Sequence, residues 1–115
     1  PKMFREMHDI EIENVEMTDA DEVFWRCNRL NIKNLKLHGG TYPFMFCNGL
    51  RIDGLESDSK YVFQYVKNME LRNAKITTKD ALWETENVTV YDSELNGEYH
   101  KGCGLGRGKR HRVLL

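Results

Sequence analysis

Ile10-Glu-Ile12-Glu-Asn14, Leu30-Asn-Ile32-Lys-Asn34, Leu50-Arg-Ile52-Asp-Gly54, Met69-Glu-Leu71-Arg-Asn73 and Val88-Thr-Val90-Tyr-Asp92 are one phrase written five times, at steps of 20, 20, 19 and 19 residues. A fixed period of this length is the mark of a stacked repeat, in which each unit lies on the next along one axis. Inside each phrase apolar and polar residues alternate, as in Leu30-x-Ile32 and again in Leu35-x-Leu37, and period 2 belongs to a strand with one face inward. Asn34, the run His38-Gly39-Gly40 and Asn48-Gly49 then supply turns, leaving a third strand over roughly Tyr42 to Cys47. Three strands and three turns in each period predict an all-β parallel β-helix, or solenoid, of about 20 residues per coil and four to five coils.

Residues one period apart must then form columns. One inward column reads Ile12, Ile32, Ile52, Leu71, Val90, and an asparagine column reads Asn28, Asn48, Asn68, Asn87. Stacked asparagines at a bend bond their amides to one another and tolerate left-handed backbone, so these four are expected to be a structural ladder. The charges give a sharper check. Glu16, Lys36, Glu56, Lys75, Glu94 alternate in sign, and so do Glu13, Lys33, Asp53, Arg72. Side chains facing each other on paired strands lie about 5 Å apart, where unlike charges stabilise and like charges repel. The alternation is what stacking in register requires, and it removes most carboxylates and lysines from the list of catalytic candidates. A leucine-rich repeat fits Ile32-x-x-Leu35-x-Leu37 less well, because Ala20 and Gly40 occupy the place where that repeat wants asparagine or cysteine.

Bulk properties exclude several classes. The 115 residues carry a formal charge of -1 and are 40% hydrophobic and 30% charged, a balance that favours neither nucleic acid nor an anionic membrane as partner. No apolar run reaches the roughly 18 residues of a membrane span. Three cysteines without close spacing argue against a disulfide framework, so the expected compartment is cytoplasmic, although a chain that opens on Pro1 is expected to lack its natural start. No cofactor or metal is expected. The repeat domain is placed at residues 1–99. From His100 the basic, glycine-rich run departs from the register and is expected to be a non-repeat tail, disordered or foreign to the domain.

The N-x-L/I-x-I-x-N/G-L units, the turn approaches Trp25-Arg-Cys-Asn28 and Phe46-Cys-Asn48, and the segment from Ala81 to Asn87 together resemble a bacterial protein family of uncharacterised function. That family is similar to the single-stranded right-handed β-helix superfamily, whose relatives include pectate lyases and other polysaccharide-active proteins. The resemblance implies a right-handed coil and a longer helix, and it supplies no catalytic motif to carry over.

The third strand is richer than a fold needs. A strand has one inward face, so either Val23, Phe63, Trp25, Tyr65 and Glu84 point inward and Phe24, Phe44 and Trp83 outward, or the reverse. Exposed rings beside carboxylates hold sugars, which makes Phe24, Trp25, Phe44, Tyr65, Trp83 and Glu84 the candidate ligand surface. Cys27 and Cys47 share a column, completed at this reading by Lys67 and Glu86, and are expected to be small, buried thiols rather than ligands for zinc. His38 is expected to bond Asp58. The function expected is a binding or structural scaffold for carbohydrate or protein, with homo-oligomers forming through open helix ends. The alternative is a polysaccharide lyase or glycoside hydrolase acting on acidic glycans.

Overall fold

The computed structural model describes residues 4–79, 81–98 and 109–114. Among the described residues seven strands form, β1 (His8–Thr18), β2 (Asn28–His38), β3 (Asn48–Ser57), β4 (Lys67–Lys79), β5 (Glu86–Tyr91), β6 (Glu94–Glu98) and β7 (Lys109–Leu114), and their pairings are parallel. β1 to β5 follow one another in order, β7 adds to β5, and β6 pairs with the second half of β4. Each long strand covers two sides of a coil. It bends where the phrase ends, at Asn14, Asn34, Gly54 and Asn73, all with positive φ (56°, 55°, 88° and 53°). Asparagine and glycine are the residues that enter this left-handed region at least cost, so the bend is written into the repeat.

The column reading holds along these two sides. Ile12, Ile32, Ile52, Leu71 and Val90 are successive partners, and all are buried. Glu16 pairs with Lys36, Lys36 with Glu56, Glu56 with Lys75 and Lys75 with Glu94, and the Glu13, Lys33, Asp53, Arg72 column runs likewise.

The third side differs from expectation. Residues 21–26, 43–46, 62–65 and 81–84 form turns rather than a strand, with one isolated parallel bridge between Thr41 and Lys60. The cause is backbone handedness. φ is positive at every second residue, Glu22, Phe24 and Arg26 in one coil and Tyr42, Phe44 and Phe46 in the next. Strict alternation of side chains belongs to extended chain, and without it two neighbours turn inward together. Val23 with Phe24, and Val62 with Phe63, are all 0% exposed, so neither of the two expected parities applies. The coils still bond to each other here, through Phe44 N–H to the Val23 carbonyl at 2.9 Å and Phe63 N–H to the Pro43 carbonyl at 3.2 Å.

One residue is missing from the third coil, and its place matters. Leu37 pairs with Ser57, a step of 20, but Thr41 bridges Lys60, a step of 19, so the short corner lies between Ser57 and Lys60. All later columns move with it. Phe24, Phe44 and Phe63 make one column and stack at 4.9 Å and 4.9 Å, with Phe4 above them at 5.2 Å. Cys27 and Cys47 continue into Val66 and Thr85, all buried, and not into Lys67 and Glu86. At the Gly39-Gly40 corner, a Cβ on Gly40 would lie 2.5 Å from the Ala20 carbonyl carbon, which is why the coils approach this closely only over glycine.

Of the expected tail, residues 100–108 and 115 lie outside the described residues. Lys109–Leu114 runs parallel to β5, with Lys109 beside Glu86 and Arg112 beside Thr89, at a step of 23 residues.

Candidate functional site

Among the described residues, the third side carries a strip of exposed side chains that the packing of the coils does not require. Two columns run down it. The inner one is Arg5, Trp25, Met45, Gln64, Trp83, and the outer one is Glu6, Arg26, Phe46, Tyr65, Glu84. The register is fixed by backbone bonds from Glu6 N–H to the Trp25 carbonyl (2.7 Å), Arg26 to Met45 (2.9 Å), Phe46 to Gln64 (3.1 Å) and Tyr65 to Trp83 (2.9 Å). Arg26, Phe46, Tyr65 and Glu84 all have positive φ, from 50° to 60°, which costs a residue with a Cβ roughly 1–2 kcal/mol. Backbone held at that cost turns these four side chains outward in single file.

Among the described residues, Phe46 and Tyr65 are the large apolar side chains most open to water, 41% and 42% exposed. They stack on each other at 5.1 Å and 17°. Trp25 meets Phe46 edge-on at 6.0 Å, and the guanidinium groups of Arg5 and Arg26 lie 4.3 Å and 4.5 Å from the Trp25 ring centre. Arg26 also reaches the Phe46 ring at 5.6 Å. Glu6, His8, Arg26, Asn28 and Phe46 line a shallow groove at the upper end of this strip.

The expected ligand surface is therefore only partly on the surface. Phe24 and Phe44 are fully buried in the phenylalanine stack, which removes them from it. Trp25 and Trp83 are half-buried, while Tyr65 and Glu84 are exposed. Phe46, Arg5 and Arg26 were missed. The asparagine column Asn28, Asn48, Asn68, Asn87 sets the 20-to-19 change after the third side, which would bring Met45 beside Tyr65; the backbone bonds set it before, and Phe46 takes that place.

Polar groups elsewhere are engaged by the fold. His38 bonds Glu16 at 2.7 Å, not Asp58, and Asp58 instead accepts the Gly39 N–H at 2.6 Å. Asp21 accepts the Thr41 N–H at 3.0 Å. Cys27 and Cys47 are free and buried, donating to the carbonyls of Phe4 at 3.0 Å and Phe24 at 2.7 Å. The adjoining Cys27 sulfur, and then burial, push the Cys47 thiol well above its ordinary range. The asparagine ladder forms with a shift. Asn87 donates to Asn68 at 2.7 Å and Asn68 to Asn48 at 2.9 Å, whereas Asn28 bonds His8 at 2.9 Å. A second set joins Asn34 to Asn14 at 3.1 Å and Asn73 to Asp53 at 2.8 Å. Among the described residues no group of three or more His, Cys, Asp or Glu side chains is placed to hold a metal ion, and no helix is long and apolar enough to cross a membrane.

A family model described as Protein of unknown function (DUF3737) matches residues 1–102. The chain belongs to this family. The DUF3737 match takes in β1 to β6 together with the aromatic strip, and it ends before β7. No curated protein and no solved structure matches the chain.

Proposed function

We propose that the chain is a binding scaffold, coiled as a right-handed, pectate-lyase-like β-helix, that holds a protein partner along its third side and performs no chemistry on it. The observation that carries this reading is the exposed pair Phe46 and Tyr65, set on consecutive rungs beside cation-backed Trp25. Exposed rings rimmed by charge are the usual composition of a protein contact. The ring geometry favours protein over sugar. A sugar lies flat on an aromatic face, but Phe46 and Tyr65 give a face to each other and Trp25 is covered by arginine. What remains outward is largely ring edge, which carries partial positive charge and suits carbonyl oxygens and other side chains.

The experiment is a paired one. Capture of a protein by the immobilised chain should be lost in the double variant Phe46→Ser/Tyr65→Ser and kept in Glu16→Gln, which changes a different side. The same preparation should neither be retarded on polysaccharide gels nor release reducing ends from acidic glycans. Release of reducing ends would overturn the scaffold reading and favour the depolymerase.

A further inference from the structure

The outer column of the third side has an order that matches itself when reversed. Read down the axis it is Arg26, Phe46, Tyr65, Glu84: cation, ring, ring, anion. The four stand on consecutive rungs, so they are evenly spaced at about 4.8 Å. Resting on the reading of this side as a docking face, we propose that its partner is a second copy of the same chain, docked antiparallel about a two-fold axis that passes between Phe46 and Tyr65.

Under that axis Arg26 faces Glu84 of the other copy, Phe46 faces Tyr65, and the same two contacts repeat on the far side of the axis. One copy supplies both halves of each contact, as an isologous interface requires. The alternatives are disfavoured by charge. Parallel apposition sets Arg26 against Arg26 and Glu84 against Glu84. Moving the axis half a rung up, onto Phe46, sets Glu6 against Glu84 and leaves Arg26 opposite a tyrosine, because Glu6 heads the same column. Of the axes that keep both rings in the contact, the one between them pairs unlike charges at both ends.

Arg26 is free to do this. It rests on Trp25 and Phe46, and no carboxylate partners it among the described residues. Glu84 is exposed and keeps interactions within its own chain, so the contact requires its charge at the surface and not an empty side chain. The held rotamers of stacked rings lower the ordering cost of association. The face spans four rungs by roughly 20 Å, burying on the order of 800 Å² in total, less than the ~1,200 Å² of stable complexes. A contact of that size belongs to the weak, reversible class, so association should show towards the upper end of the concentrations tested.

Sedimentation of the full chain from about 10 µM to about 1 mM tests this. Wild type should move from monomer to a closed dimer with no larger species. Arg26→Glu and Glu84→Arg should each weaken association at least tenfold, and an equimolar mixture of the two variants should regain it, because each then supplies what the other lacks. Both positions are exposed, and circular dichroism checks that both variants fold. A wild type that stays monomeric, single variants that dimerise as wild type does, or a mixture that stays monomeric would each overturn the homodimer. The docking reading fails separately, through capture that survives loss of both Phe46 and Tyr65; a monomeric chain whose capture depends on those rings overturns the homodimer alone.

Discussion

Asn68 donates its side-chain amide to Asn48 at 2.9 Å, although the backbone pairs Asn48 with Lys67. The bond is diagonal because the short corner between Ser57 and Lys60 has moved Asn68 one column along, under Gly49. With no side chain at Gly49 the amide reaches across to the neighbouring column, and Asn87 donates to Asn68 from below at 2.7 Å. The ladder thus survives a change of coil length by leaning over a glycine.

Asn68 therefore combines two amide bonds with left-handed backbone at φ 57°. Asn68→Ala should cost about 2 kcal/mol, from bonds that are modest at the surface and from a Cβ that dislikes the conformation. Asn68→Gly should cost about 1 kcal/mol less, since it loses the same bonds without the strain. Urea denaturation of both variants decides it, and equal losses would show that the backbone contributes nothing.

Lys36 lies between Glu16 and Glu56 on adjacent strands. Lys36→Glu would set three carboxylates in one column at about 5 Å spacing and should destabilise by about 1–2 kcal/mol. Because these side chains are exposed, roughly 1 M salt should recover most of the loss. A loss that is the same at low and high salt would mean that packing, not charge, is at stake.

Gly39 and Gly40 both have positive φ, 69° and 77°, but only one is crowded. A Cβ at Gly39 meets nothing within 4 Å, whereas at Gly40 it would lie 2.5–2.7 Å from the backbone of Ala20 and Asp21. Gly39→Ala should cost about 1–2 kcal/mol by strain alone. Gly40→Ala must also push two coils apart and should cost clearly more, enough to lower expression. Thermal melts of the pair that coincide would sink the assignment of the Gly40 corner as the close approach.

The two buried thiols should be inert while the coil is closed. With Cys103→Ser as background, Cys27 and Cys47 should react with a disulfide reagent at pH 8 only at the rate at which the chain opens, and at once in denaturant. Rapid labelling of Cys47 in native buffer would contradict its burial.

Arg29 holds the Asp9 carboxyl below its usual range through a hydrogen bond at 2.6 Å. A carboxyl depressed in the folded chain contributes stability above its unfolded pKa, near 3.9, and that contribution disappears as pH falls through the lower folded value. Both groups are well exposed, so the effect is small and screened by salt. Carboxyl chemical shifts followed by NMR should show Asp9 titrating at lower pH in wild type than in Arg29→Gln, and identical midpoints would remove the pair from any account of acid stability.

Two sides of the coil were legible before any coordinates. Ile12, Ile32 and Ile52 recur because every coil needs the same inward methyl groups, and Glu16, Lys36 and Glu56 alternate because neighbours one rung apart feel each other's charge. Both demands act at fixed sequence separation. The third side departs from the sequence pattern in both register and backbone handedness, the two features that shape its surface. Nothing in the letters Val23-Phe24-Trp25-Arg26 marks φ as positive at the second and fourth, since phenylalanine and arginine are not residues that favour it.

A repeat length taken from one phrase to the next states that a coil has 19 residues, and so it fixed the stacked solenoid, its inward columns and its charge pattern. It does not state at which corner the twentieth residue was dropped, because the phrases on either side of the gap read the same wherever it falls. The hydrogen bonds between coils settle that point, putting the loss between Ser57 and Lys60 and bringing Phe46 onto Tyr65. That face arises from alignment along the axis and from backbone handedness, and both come from coils bearing on one another rather than from any local run of residues.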